Sequence, residues 1–445
     1  MKKKNIILFL AILTIFILTF TQTITPAIST KIDQNKKNTP TVKKESNYKT
    51  TQKITDIIKK INKTIIEKFL KELISIGPRL TGSYGCEKAG EYIYNKFKEF
   101  NLEADKHEWA AFGNWAHKKY YRGENIEGTL LGNNQDKKDL ILFNAHYDTV
   151  RNTVGANDDG SGVVAVLTAA YVLSQYSFNK SIRFVTFSGE EIGLRGSGKY
   201  VKKIYEEEYD LLVEFNADMI GYAEKKEDER KIRLSYTEDT EWIIDIIEQI
   251  NNTNNDLNIR ITKKYKMDRD RKEGGSDYFP FVKYGYESIA FWEAVWDPNM
   301  HTPEDDFDNV NLDYLVNTTR IIAATIAAIA DEYDIPPRLE ISTPRKGVFY
   351  YEDRIFKTLI GDTTISIGDI WIYTDIKTVS SPIEKVEFYC DGKLEYTAEK
   401  SPFVWKFDKI AILKKFKITA IAYDEQGRNS TDQVSLFFIN PSNPY

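Results

Sequence analysis

Two adjacent carboxylates, Glu190 and Glu191, follow the run Ile182–Phe187, whose apolar and β-branched content reads as a buried strand. Mutual repulsion and lost hydration both oppose such a pair at the mouth of an apolar sheet, so something positive must hold them. Adjacent side chains diverge, which lets one carboxylate bind a cation while the other faces a bound water. His146 and Asp148 stand two apart at the end of the strand-like run from Leu140. They therefore face the same way, and the carboxylate can accept the second ring N–H and fix the imidazole's tautomer. Asp158 in "GANDDGSG", Asp218 after the run Leu211–Ala217, and His301 opening "HTPEDD" complete a donor set. His146, Asp158, Glu191, Asp218 and His301 would give each of two dications three protein ligands if one carboxylate bridges, with room for a shared hydroxide.

These donors need a scaffold that brings strand ends together. Apolar runs at 140–145, 182–187, 211–217 and 288–292 alternate with helical periodicity over 54–76, 87–100, 162–173 and 312–333. Mainly apolar strands separated by helices predict an α/β fold, a mostly parallel central sheet with helices on both faces. In such a sheet ligands bind beyond the carboxyl ends of the strands, where His146, Asp148, Glu190, Glu191 and Asp218 fall.

The texture changes near Asp334–Pro337. Short alternating runs take over, and Asp391–Gly392 after Val386–Tyr389 is a hairpin signal. Residues 338–445 are expected to form a separate β-sandwich that resembles the immunoglobulin-like modules appended to secreted enzymes, through "VEFYCDGK" and "ITAIAYDEQGRNS". Such a module could contact a cell surface or carbohydrate. At the other end, Lys2–Lys4, the apolar stretch Ile6–Phe20 and Pro26–Ser29 read as an export signal over residues 1–29. The apolar run is short beside the roughly 20 residues of a membrane span, so the protein is expected outside the membrane, secreted or anchored to its outer face. Residues 30–53, rich in Lys, Thr, Asn and Ser, read as a basic disordered linker ahead of a catalytic domain over 54–335.

Composition excludes several classes. With 445 residues, 42% apolar content and a net charge of −5, the chain can bury a large core and offers no basic face to nucleic acid. Two cysteines, Cys86 and Cys390, are too few for a disulfide framework or a thiolate cluster and read as unpaired core residues. "NDDGSG" fails as a calcium loop because its twelfth position, counted from Asn157, is Thr168 where a bidentate Glu is needed. No G-x-S-x-G elbow and no phosphate-binding glycine loop with the required spacing is present. His107 and His117 lack companions and read as surface or packing residues, and "DRDRKE" (268–273) reads as a solvated loop.

The ordered set "GPRLTGS", "FNAHYDTV", "GANDDGSG", "VTFSGEEIGLRGS", "FNADMIG", "GSDYFPF" and "HTPEDD" resembles the co-catalytic dizinc aminopeptidases, relatives of glutamate carboxypeptidase, glutaminyl cyclase and the transferrin-receptor ectodomain, over residues 54–333. The resemblance implies that His146 and Asp218 hold one zinc, that Glu191 and His301 hold the other, and that Asp158 bridges. It also implies Glu190 as general base, Asp148 as orienter of His146, a cis bond between Asp158 and Asp159, and peptide substrates with a free N-terminus. Two imidazoles and three carboxylates also accept Co2+ or Mn2+. Family members often carry His where Tyr278 follows Asp277, so the departure bears on the substrate pocket. There Tyr278 is expected at the substrate, and Phe279 and Phe281 either line a pocket for an apolar side chain or pack the loop. A carboxypeptidase or a glutaminyl cyclase on the same scaffold, or a non-catalytic receptor or adhesion protein, are the alternatives; loss of ligands would mark the last, and all five are present.

Overall fold

The computed structural model describes residues 52–440 except 114–118, 134–139, 238–239, 255–256, 268–274, 332–336, 346, 352, 359–363 and 377–380. The expected export signal, all but the last two residues of the linker, His117 and the "DRDRKE" loop lie outside the described residues. The described residues begin with helices α1 (Gln52–Lys60), α2 (Lys63–Ile74) and α3 (Tyr84–Glu99). Asn62 and Ser83 start the second and third by accepting the N–H groups of Ile65 and Cys86.

An eight-stranded sheet follows, made of β1 (Glu103–Phe112), β2 (Tyr120–Leu130), β3 (Leu140–His146), β4 (Ser181–Phe187), β5 (Leu211–Ala217), β6 (Lys231–Tyr236), β7 (Arg260–Lys266) and β8 (Ser288–Glu293). Their spatial order is β1-β2-β4-β3-β5-β8-β6-β7. The four central strands run parallel, as the apolar runs predict. The flanks differ: β1–β2, β2–β4 and β6–β8 are antiparallel, so the sheet is mixed. β1 and β2 carry charged residues on their outward face and expose one side, a pattern antiparallel strands tolerate and central parallel strands do not.

The helices α4 (Gly160–Leu173), α5 (Arg195–Glu206), α6 (Glu241–Thr253), α7 (Tyr278–Lys283) and α8 (Leu312–Asp331) cover the sheet. Alternation along β3 divides the core: Ile141, Phe143 and Ala145 join a large cluster with α4 and α8, while Leu140 and Leu142 meet Val201, Ile204 and Phe281 from α5 and α7. α8 is long and apolar enough to span a membrane, yet 78% of its most apolar window is buried in the domain, which marks it as a core helix.

Register brings the donor-bearing ends together. His146 pairs with Phe187 of β4, and Asn144 pairs with Asn216 of β5, so the residues after all three strands emerge at one edge. The peptide bond between Asp158 and Asp159 is cis.

Residues 339–440 form a seven-stranded and a three-stranded sheet. The strands are β9 (Leu339–Thr343), β10 (Val348–Tyr351), β11 (Arg354–Thr358), β12 (Thr364–Ile367), β13 (Ile370–Ile376), β14 (Ile383–Cys390), β15 (Lys393–Ala398), β16 (Val404–Phe407), β17 (Ala411–Asp424) and β18 (Asn429–Asn440). The larger sheet runs β11-β10-β12-β18-β17-β14-β15 and the smaller β16-β13-β9, and residues of both share one apolar cluster. Asp391 and Gly392, at φ 51° and 80°, make the tight turn between β14 and β15 that the sequence signals. Cys86 and Cys390 are buried and free.

Gly162 lies where α4 meets the end of β5. A Cβ there would stand 2.3 Å from the carbonyl oxygen of Ala217 and 2.5 Å from the Asp159 carboxylate. Gly162→Ala is therefore expected to destabilise the domain by about 1–3 kcal/mol, read as a lowered urea midpoint at unchanged slope. Wild-type stability would mean that helix and strand can separate freely.

Candidate metal centre

Asp158 occupies the middle of the site. Its Oδ1 lies 3.3 Å from His146 Nε2 and its Oδ2 lies 3.1 Å from His301 Nε2, so its two oxygens face different imidazoles. Asp218 Oδ1 stands 3.8 Å from the same His146 nitrogen, and Glu191 Oε2 stands 3.3 Å from His301 Nε2. The donor atoms thus fall into two triads sharing one residue, His146–Asp158–Asp218 and Asp158–Glu191–His301, each with atoms within 4.8 Å of one another. All five residues expected as ligands come together. The first triad is buried, whereas His301 is half-exposed and opens the site to solvent.

His146 is oriented by Asp148, though chiefly through its backbone. Nδ1 lies 3.1 Å from the Asp148 carbonyl oxygen and 3.7 Å from Oδ1. A ring that donates from Nδ1 to that carbonyl leaves Nε2 as the ligand atom. The Asp148 carboxylate accepts instead from Thr81 Oγ1 at 2.5 Å and from the N–H of Glu190 at 3.2 Å, linking the β3 loop to the loop with the paired glutamates.

That second loop is buttressed from the antiparallel flank. Trp109 Nε1 donates to Ser188 Oγ at 3.0 Å, and Ser188 N–H donates to Asn125 Oδ1 at 3.3 Å. A Cβ on Gly189, at φ 81°, would meet the Trp109 ring at 2.6 Å, so glycine is required where the chain turns toward Glu190. His107 contacts Asn125 at 3.0 Å, consistent with the packing role read from sequence.

Asp159 pins three elements. It accepts from the N–H groups of His146 at 3.1 Å, Met219 at 3.2 Å and Gly162 at 2.9 Å, joining the ends of β3 and β5 to the first turn of α4. Sequence reading singled out neither Trp109, Asn125 nor Asp159 for this work. Asp159 sits in a quoted motif, but the other two lie in a segment without a chemical signature.

Charge is concentrated here. Burial alone would lower the pKa of His146, but the carboxylates of Asp148, Asp158 and Asp218 around the ring raise it well above the ordinary value. Asp158 and Glu191 push His301 up to about 10. Burial works against the charge of Asp158, yet the two imidazoles hold its carboxyl well below the usual range. Glu190 is partly buried; desolvation raises its pKa well above normal, with His146 opposing and Asp277 and Glu191 reinforcing the rise. Glu191 Oε1 is buried without a hydrogen-bond partner, the state of an acceptor built for a cation. Imidazole nitrogens and carboxylate oxygens in two triads joined by one carboxylate fit a pair of first-row divalent ions.

Near the site, Tyr278 is buried with its ring edge-on to Trp292 at 6.2 Å, and Phe279 is partly buried. Both line a pocket of about 110 Å³ with Ser235, Tyr265, Lys266, Met267 and Val282. Phe281 does not. It is fully buried against Phe187, 6.2 Å between rings, so of its two sequence readings the packing one describes it.

The sheet, parallel at its centre, gathers imidazole and carboxylate donors beyond its strand ends, an arrangement able to hold divalent cations. Residues 125–326 match the family model of peptidase family M28. Among curated relatives, the chain is 29% identical over 241 residues to an aminopeptidase, YwaD, of Bacillus subtilis (strain 168), a match covering 52% of this chain and 50% of that protein. The chain thus spans about half the length of that relative. Among solved structures, the LapA aminopeptidase of Legionella pneumophila superposes with a TM-score of 0.55 at 20% identity, over 70% of this chain and 81% of that one. A glutaminyl cyclase of Fimbriiglobus ruber superposes with a TM-score of 0.51 at 16% identity, over 63% and 97%. These two likenesses establish the fold.

Protons occupy the imidazoles when no cation does, and a dication must displace them. Zinc uptake near pH 7 is therefore expected to release protons, with affinity rising as pH rises. Calorimetric titration in buffers of different ionisation enthalpy measures this. Uptake without proton release would place the ions elsewhere.

Proposed function

We propose that this chain is an exported metallo-aminopeptidase that removes the first residue of peptides, with two zinc ions held by His146, Asp158, Glu191, Asp218 and His301. The observation that carries the reading is the division of Asp158 between two imidazoles, since a carboxylate facing two ways suits a bridge. In this reading His146 and Asp218 hold one ion and Glu191 and His301 the other. Bound there, the ions would polarise the first peptide carbonyl and acidify a shared water.

The chain's own groups do the rest. Glu190 takes the water's proton on its carboxylate and passes it to the leaving amine. Asp148 holds the Glu190 backbone in place through the N–H it accepts, and orients His146. Buried acids around the centre attract the α-ammonium of a free N-terminus, which favours amino-terminal cleavage. The pocket beside α7, with Tyr278 and Phe279 on its wall, would receive an apolar side chain. Asp277, immediately before Tyr278, interacts electrostatically with His146 and Asp218, which supports this neighbourhood.

The basic and apolar N-terminal residues support export, with the protein either released or held at the outer face of the membrane. The apolar cluster shared by the two C-terminal sheets supports an immunoglobulin-like sandwich, whose exposed surface is available for contact at the cell envelope.

Glu190→Gln should leave the zinc content unchanged and lower kcat by about 10²–10⁴-fold, measured as free amino acid released from unblocked peptides alongside elemental analysis. Substantial residual turnover would remove Glu190 from the mechanism. Wild-type activity on amino-blocked peptides, with release from the carboxyl end, would replace the aminopeptidase by a carboxypeptidase.

A further inference from the structure

We infer that Arg79 and Asp305 are positioning residues for Asp158, a clamp of guanidinium and carboxyl group that grips the loop between His146 and Asp158 by its carbonyl and amide groups. The role in metal binding rests on the proposed two-ion centre; the grip itself is a matter of geometry. Arg79 belongs to "GPRLTGS", ahead of the family-matched segment, and its side chain is fully buried. Its Nε donates to the Tyr147 carbonyl at 2.6 Å, Nη1 donates to the Val154 carbonyl, and Nη2 donates to the Gly155 carbonyl at 3.0 Å. The planar fork thus ties the loop's first limb to its last. The backbone adds two links, Arg79 N–H to Thr149 Oγ1 at 2.9 Å and Thr149 N–H to the Arg79 carbonyl at 3.3 Å.

Asp305 takes the same loop from the other polarity. Its Oδ1 accepts the N–H of Asn157 at 2.7 Å, its Oδ2 accepts the N–H of Asp158 at 3.0 Å, and its carbonyl accepts the N–H of Ala156 at 3.2 Å. Between them, the guanidinium engages the carbonyls of residues 154 and 155, the carboxylate the amides of residues 157 and 158, and the Asp305 carbonyl the amide of residue 156. Asp305 also lies four residues beyond His301, so one loop supplies both a ligand and the fixing of the shared carboxylate. Neither clamp residue is among the donor triads.

Packing alone does not call for a charged side chain here. A guanidinium removed from water loses much hydration, and three carbonyl acceptors are neutral groups. What retains the charge is the surrounding field of Asp305, Asp148 and Asp159, the carboxylates that hold the loop and its neighbours. Lysine, a single point donor, cannot span Tyr147, Val154 and Gly155 at once. Asparagine at 305 keeps one acceptor and turns a donor toward the other amide.

The test uses the metal-free full chain, titrated with Zn2+ by calorimetry, with circular dichroism and thermal melting to establish folding. Arg79→Lys and Asp305→Asn are each expected to fold and to bind zinc about 10–100-fold more weakly. Combined, they should lose less than the product of the single effects, because both act on one loop. Arg183→Met serves as control: Arg183 is a partly buried arginine 3.6 Å from Glu127, away from the site, and should lose thermal stability while keeping wild-type zinc affinity. Should the lysine variant fail to fold, Asp305→Asn carries the test alone. Wild-type affinity in the folded variants, or an equal loss in the control, would overturn the clamp. A wild-type chain that binds no zinc would sink the metal centre itself.

Discussion

Negative charge confined to a dry place governs the arrangement of this domain. Asp148, Asp158, Asp159, Asp218 and Asp305 are all buried near one edge of the sheet, with Glu190 and Glu191 beside them. Ionised carboxylates repel one another strongly once water is excluded, so each must be answered by a donor, a proton or a cation. The structure shows several answers at once. Asp159 and Asp305 are met by backbone N–H groups, Asp148 by a hydroxyl and an amide, and Asp158 by two imidazoles. Glu191 Oε1 is left without a partner, and that deficit points to an ion more directly than any single distance.

The scaffold converts this electrostatic need into position. Parallel pairing of β3 with β4 and β5 sends three chain segments out at one edge, and α4 begins against the end of β5 with no room for a side chain at Gly162. Asp159 then fastens strand ends and helix start to each other. The antiparallel flank adds support from outside, through Trp109 and Asn125, to the loop bearing Glu190. Fold and site are therefore not separable layers here. The groups that end the elements are also the groups that aim the ligands.

The donors were legible in the sequence because each sits in a short local pattern: a carboxylate two beyond a histidine, paired glutamates after an apolar run, Asp-Asp before a Gly-Ser helix start. Strand ends could be assigned because the central strands are continuously apolar. The supporting residues were not legible in the same way. Arg79 and Asp305 matter through contacts about 70 and 150 positions away in the chain, and periodicity cannot register which loop will close over which. Likewise β1 and β2, half-exposed and rich in charge, lack the apolar signature that marked their neighbours, so the mixed character of the sheet went unread. Phe281 illustrates a further limit, because an aromatic near a pocket and an aromatic beneath a helix look alike until packing is known.

Ligands spread from His146 to His301 have a bearing on when the centre can assemble. Neither triad among the described residues lies in one contiguous stretch, so its donors meet only when β3, β4, β5 and the loop after β8 lie side by side. Unlike a zinc finger, whose metal organises a short segment, a domain with donors so spread would acquire its topology first, by long-range pairing, and bind an ion only afterward. If the two triads hold ions as proposed, the spacing of their donors places folding before loading.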